Sequence, residues 1–340
     1  MSLYQDTPES SANVERQPPR REIQELGLRL PRLLHCGTEG WADARWRGIV
    51  FSAQSGSQHL RNYGLTPYSQ YPLFNMVALP SRATPYRESE LLRFEAAVDE
   101  AFRFLWTVDA HLDPMLRDAK GIVRGANPQF LVFNEPWFEQ WMAMPQRMLG
   151  SKLGPVVLRL GAFDRMTIKH WQQRGALAPL LDRFLSELRT SLENKTLSLT
   201  LGLEIQNTDW LTPRMMTLLA QHKVHLVVNL SNGMPNIRRQ QQALAFWEEL
   251  TKEEDASHLL IHWHSSPSLS LGWRPLPGNK LLASDPLTRS ALAALMERYL
   301  ARSRPVWVWV GNRAEGSAPL TIEALARVLD RRRLEKITNG

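Results

Sequence analysis

The sequence predicts an α/β fold, a single-domain TIM-like (β/α) barrel of parallel strands. Short apolar runs recur eight times along the chain, longer amphipathic stretches with helical spacing lie between them, and 340 residues suffice for one large barrel. The runs are 31–36 (PRLLHC), 72–79 (PLFNMVAL), 102–108 (FRFLWTV), 155–161 (PVVLRLG), 197–205 (LSLTLGLEI), 224–230 (VHLVVNL), 258–264 (HLLIHWH) and 306–310 (VWVWV). Each has the length and the apolar content of a buried strand. Among the helical stretches, 164–190 sets Leu177, Leu180, Leu181, Phe184, Leu185 and Leu188 on one stripe. Residues 285–301 carry Leu287, Ala291, Leu295 and Leu300, with Asp285 as N-cap before Pro286 at the first helical position. Residues 320–333 form a closing helix. Strands that alternate with helices pair in parallel, because each crossover returns the chain to the same end of the sheet.

Composition bounds the rest. Residues 1–26 are rich in Ser, Pro, Gln, Glu and Arg, lack an apolar period, and are expected to be a disordered polar tail, with the barrel domain over 27–340. Hydrophobic content of 43% and charged content of 22% are those of an ordinary globular chain. The N-terminus has no apolar h-region, and no stretch approaches the roughly 18 apolar residues of a membrane span. A single cysteine, Cys36, permits no intramolecular disulfide. These features together lead to the expectation of a cytoplasmic protein with no membrane partner. Cys36 reads as a small buried apolar residue rather than a nucleophile, since no base can be assigned to it. The formal net charge of +7 attracts anions such as nucleic acid, phosphate or anionic lipid, but the charges are scattered and mixed in sign, as on solvated helix faces. Arg238-Arg239 and Arg331-Arg332-Arg333 are open to the same two readings, backbone contacts to nucleic acid or solvated helix ends. P-loop, Rossmann and GxSxG motifs are absent from the sequence.

Three connections that follow apolar runs are long, 37–70, 109–133 and 265–284, and in a barrel such insertions build the C-terminal face where sites lie. Strand alternation then sorts side chains into inner and outer faces. On 197–206 the face with Leu199, Leu201, Leu203 and Ile205 turns to the helices, so Glu204 and Gln206 point inward. The same argument turns Arg159, Asn229, His262 and His264 inward and places Glu39 and Asp109 just past two other strand ends. A His-x-His pair on a strand suits metal binding, and with Glu204 it makes a two-histidine, one-carboxylate set with open positions for a divalent metal's water or substrate. Without metal, Glu204 and His264 form an acid/base pair, or the histidines join a neutral network with Glu204 and Asn229. Arg159 holds a carboxylate or phosphate, or neutralises Glu204. Trp273, in Gly272-Trp273-Arg274, covers the rim and stacks on a ligand, or packs its loop down.

Short blocks along the chain resemble the YecE-like family, whose members carry domain of unknown function 72. Gly37-Thr38-Glu39-Gly40-Trp41 with Trp46-Arg47-Gly48 resembles its GTSGW…W-x-G opening, and Phe102-Arg103-Phe104 its FRF strand. Leu153-Gly154-Pro155-Val156-Val157-Leu158 is similar to LGPVL, Leu203-Glu204 with Trp210 to VE…SW, Ile261–His264 to V-R-L-H, and Trp309-Val310-Gly311-Asn312 to YFNN. The resemblance implies a TIM-like barrel, an unsettled biochemical role and a site position for Asn312. It also marks departures: Ala78 stands where the family has a strand-two glutamate, Thr107 where it has a lysine, Glu39 for a serine, His262 for an arginine and Gly311 for an asparagine. Two expectations follow. One is a barrel enzyme acting on a small polar or anionic substrate, with Glu204 and His264 catalytic and Arg159, Gln206, Asn229, His262, Trp273 and Asn312 binding. The other is a non-catalytic binding protein for nucleic acid or another anion.

Overall fold

The computed structural model describes residues 14–339, apart from residue 83 and the segments 118–121, 164–168, 170–176, 252–256 and 266–275. Eight strands form the parallel sheet: β1 (Leu34–Thr38), β2 (Met76–Leu79), β3 (Arg103–Val108), β6 (Leu153–Leu160), β7 (Leu201–Ile205), β8 (Val224–Leu230), β9 (Leu259–Trp263) and β10 (Val306–Val310). Two further strands, β4 (Met115–Arg117) and β5 (Val123–Ala126), make an antiparallel hairpin in the connection after β3. Each of the eight apolar runs overlaps a barrel strand, although β1 extends past the run 31–36 and β6 begins before the run 155–161. Their order around the barrel is β1-β10-β9-β8-β7-β6-β3-β2. The seam between β1 and β2 is held by Asn75, whose side chain accepts from the Cys36 amide and donates to the Leu34 carbonyl, both at 2.8 Å. Above it, the Gly40 amide donates to the Ala78 carbonyl at 2.9 Å.

Each strand is followed by a helix, and the strands are buried on both faces. That is why they read as near-continuous apolar runs rather than as strict alternations. Between sheet and helices lies the larger core; inside the barrel lies a second one of Met76, Ala78, Leu105, Val157, Val227, Leu260, Trp307 and Trp309. Gly202 lacks a side chain at the one place where it would meet Leu260, since a Cβ there would lie 2.4 Å from Leu260 Cδ1. The barrel is thus plugged through its middle, and its polar side chains gather at the two ends.

The helices correct the sequence reading in detail. The helix Leu177–Asn194 buries Leu177, Leu181, Phe184, Leu185 and Leu188, but Leu180 is 36% exposed at the edge of the stripe. In Pro286–Leu300 the Asp285 carboxylate does accept from the Thr288 amide, at 3.0 Å, whereas Leu287, one residue past Pro286, is 83% exposed. The buried face there is Leu292, Ala293, Leu295, Met296 and Tyr299. The tail expected over 1–26 is also too long. A helix spans Arg21–Arg29, buries Ile23 and Leu26, and ties to the helix Ala318–Asn339 through Arg20 with Glu323 (2.8 Å) and Arg29 with Asp330 (2.9 Å). Two apolar side chains at i and i+3 are a pattern too short to stand out in a polar stretch, yet burying each is worth about 1.5–3 kcal/mol. Residues 1–13 lie outside the described residues. Among those described, no helix is long and apolar enough to cross a membrane.

Candidate functional site

At the C-terminal end of the barrel the inner faces of the strands carry one tier of polar side chains. Register sets it: Arg159 of β6 pairs with Glu204 of β7, and Asn229 of β8 pairs with His262 of β9, which pairs with Trp309 of β10. His262 stacks on Trp309 with ring centroids 5.0 Å apart. Its Nδ1 meets Glu204 Oε2 at 2.9 Å, and its Nε2 meets Glu39 Oε1 in a short contact. His264, two residues on and so on the same face, meets the same Glu39 oxygen through Nδ1 at 2.7 Å. The ligand atoms of Glu39, His262 and His264 all lie within 4.8 Å of one another. His264 is 42% exposed along its side chain and Glu39 31%, while His262 and Glu204 are buried. The cluster therefore opens to solvent on one side only.

Electrostatics follow from this placement. Burial acts against a charged His262, but Glu204 and Glu39 on its two nitrogens raise its pKa to about 9, so at neutral pH it is an imidazolium between two carboxylates. Burial acts to raise the Glu39 carboxyl, and hydrogen bonds from His262 and His264 outweigh it, holding the group well below the usual carboxylate range. Glu204 moves in the same direction for the same reason, burial being outweighed by His262 and then Arg159. Arg159 lies 3.5 Å from both Glu204 and Asp109. Asp109, at the mouth, has its pKa raised by burial, with Arg159 opposing.

Glu39 is the wall shared by three cavities. A chamber of about 130 Å³ beneath it is lined by Ala78, Thr107, Arg159, His262 and Trp309. A second, of about 370 Å³, runs over His264 toward Asp43, Arg45 and Asn312. A third, of about 470 Å³, lies on the side of Trp41, Arg61 and Tyr86.

The residues expected at the site are placed as follows. Arg159, Glu204, His262 and His264 converge. The carboxylate that meets His264 is Glu39, not Glu204; Glu204 meets His262 from its other nitrogen, and the group whose ligand atoms lie close enough to hold a metal ion is Glu39, His262 and His264. Asn229 is buried, its Nδ2 donating to the Ile205 carbonyl at 3.0 Å. Gln206 is half-buried just past β7 and outside the cluster. Asn312 is engaged on every side: Nδ2 donates to Asp43 at 2.6 Å, and Oδ1 accepts from Trp46 Nε1 at 3.0 Å and the Ala318 amide at 2.7 Å. It pins the loop after β1 to the last helix. Trp273 lies outside the described residues. Cys36 is buried and its thiol is pushed up to about 12 by burial, as suits an inert core residue.

The family model for the protein of unknown function DUF72 matches residues 35–339. The chain belongs to the DUF72 family. Two solved DUF72 structures share the fold. The protein from Enterococcus faecalis V583 is 14% identical with a TM-score of 0.55, covering 87% of this chain and 95% of that one. The protein from Thermotoga maritima MSB8 is 14% identical with a TM-score of 0.54, covering 89% and 99%. No curated protein matches the chain.

Ala78, Thr107 and Gly311 all lie beside Glu39. Ala78 bridges Glu39 across the β1–β2 seam. Thr107 is buried with Oγ1 donating to the Leu79 carbonyl at 2.7 Å. These two small residues leave the chamber under Glu39 open. Gly311 leaves room for the Glu39 carboxylate itself: a Cβ there would lie 2.8 Å from Glu39 Oε2.

Proposed function

We propose that this DUF72 barrel is an enzyme acting on a polar, anionic substrate at the C-terminal rim, with a divalent metal ion held by Glu39, His262 and His264. The observation that carries the reading is the convergence of those three ligand atoms within 4.8 Å at a mouth open to solvent. Two imidazoles and one carboxylate leave coordination positions free for water and substrate. Glu204 on His262 Nδ1 fixes the ring so that Nε2 faces the mouth, the arrangement in which a carboxylate behind a ligating histidine orients it. A metal binds neutral imidazole, so loading the site releases the His262 proton. A bound divalent ion would lower the pKa of its water and polarise a substrate oxygen. Arg159, next to the chamber, holds negative charge on the substrate, and Asp109, its carboxyl shifted upward, takes or gives a proton at the mouth. Glu204, almost fully enclosed, is a positioning residue rather than the acid/base partner of His264.

Calorimetric titration of the full chain with Zn²⁺ and Mn²⁺ tests the reading. One ion per chain should bind, and His264→Ala should weaken it by about tenfold or more. If neither ion binds, or His264→Ala binds as well as wild type, the metal reading falls. The rim cluster is then a closed salt-bridge network, which suits a non-catalytic barrel that takes nucleic acid or another anion.

A further inference from the structure

The third cavity has its own chemistry. It lies between the loop that follows Glu39, the helix Ser57–Tyr63 and the segment 80–94. Its floor is Trp41, Tyr86 and Phe94, each no more than 5% exposed, with Trp41 and Tyr86 edge-on to Phe94. The polar tips of that floor are turned away. Trp41 Nε1 donates to the Leu60 carbonyl at 3.0 Å, and the Tyr86 hydroxyl donates to the Pro80 carbonyl at 3.1 Å. Three guanidinium groups stand around the floor. Arg82 lies over Tyr86 and pairs with Glu90. The other two form no ion pair within hydrogen-bonding distance among the described residues: Arg61 donates to the neutral amide oxygen of Gln58 at 2.9 and 3.2 Å, and Arg93 lies over the Phe94 ring and reaches Glu90 only through its charge. The far wall is Glu39, whose charge is already matched by His262.

We infer that this cavity is a binding subsite for an organic oxyanion, a carboxylate or phosphate on a flat apolar body, held by Arg61 and Arg93 over the Trp41–Phe94 floor. Planar guanidiniums with unspent donors match carboxylate and phosphate oxygens, and a dry aromatic floor accepts the body of such a ligand but offers a neutral polar one nothing. Because Glu39 is the common wall, a ligand seated here points its other end at the His264 rim. The inference deepens the proposed function, resting on it only for that orientation, since binding at the arginines requires no metal.

The test is calorimetry on the full metal-free chain, in chelator and low salt, with phenyl phosphate, benzoate and phenol as probes. At least one of the two anions should bind with phenol much weaker. Which anion binds distinguishes a phosphate ligand from a carboxylate one. Arg61→Ala/Arg93→Ala should weaken the anion about tenfold or more, Arg61→Lys/Arg93→Lys should recover part of the loss, and His264→Ala should leave affinity within about twofold. Equal binding of phenol, no binding of either anion, or arginine variants that bind like wild type would overturn the inference. An effect of His264→Ala as large as that of the arginine pair would place the anion at the rim and overturn it as well. The metal titration above reads a different set of side chains, so either result can fail alone.

Discussion

Replacing Glu204 with Gln keeps the shape of a buried side chain and removes its charge. In the metal-free protein Glu204 is 1% exposed and His262 4% exposed, and the two meet at 2.9 Å. Leaving one member of a buried ion pair alone costs about 3–5 kcal/mol. Here the cost is capped, because His262 can lose its proton and Glu39 still reaches its other nitrogen. The rise of the His262 pKa from 6.5 to about 9 corresponds to roughly 3 kcal/mol in favour of the charged ring, and Glu204 heads the groups that raise it. Glu204→Gln should therefore cost about 2–3 kcal/mol at pH 7. The sign of its pH dependence is fixed. A histidine whose folded pKa lies above the unfolded one contributes stability that is full below pH 6.5 and fades as pH rises through 9. The difference between wild type and variant, measured by urea unfolding in chelator, should thus shrink between pH 7 and pH 10. A variant as stable as wild type at pH 7, or a gap that stays constant to pH 10, refutes the placement of a charged His262 between the two carboxylates.

The opposite end of the barrel predicts acid sensitivity. Burial holds His35, His225 and His258 near pKa 4, 3 and 4; Arg103 and then His258 add to the effect at His35, and His258 and then Arg189 add to it at His225, so the unfolded chain binds their protons more readily. Stability they support is present above pH 6.5 and lost as pH falls toward 4, at about 1.4 kcal/mol per pH unit per histidine, and His225→Gln should flatten that slope by about one proton; an unchanged slope in urea titrations would count against it. Gly311→Ala should leave the unfolding free energy within about 1 kcal/mol, because the atoms it meets end the flexible Glu39 side chain, yet it should weaken Zn²⁺ or Mn²⁺ by about tenfold or more. Metal affinity equal to wild type would show that Glu39 is not held where Gly311 admits it.

The strands were legible because a barrel strand buried on both faces leaves an apolar run whatever its neighbours do, and eight such runs survive even where boundaries shift by several residues. Faces were legible too: a period of two turns Arg159, Glu204, Asn229, His262 and His264 inward without knowledge of the strand order. Partnership was not legible. Glu39 and His262 are 223 residues apart and meet only because β10 lies between β1 and β9. Glu204, one strand farther around than Asn229, was the carboxylate that alternation offered, so it was matched to the histidine pair. Leu180 and Leu287 were misplaced for a related reason. A helical stripe read from spacing fixes the direction of the buried face only to within about one residue's turn, and packing decides which edge residue is covered. Asn312 illustrates a further gap: its position past β10 was visible, but not that Asp43, Trp46 and Ala318 would use up its amide.

Glu39, Gly311, His262 and Glu204 are best understood together rather than one by one. Glu39 bridges Ala78 across the seam, places its carboxylate in the space beside Gly311, and is met there by two imidazoles. Each of these groups depends on the others. A larger residue at 311 would make the Glu39 carboxylate shift, an unpaired carboxylate at a half-enclosed mouth would be desolvated without compensation, and a charged His262 draws on both Glu39 and Glu204. Such mutual dependence is what the metal site proposed above requires, and a metal titration in which Gly311→Ala, Glu204→Gln and His264→Ala all bind Zn²⁺ or Mn²⁺ like wild type would break it.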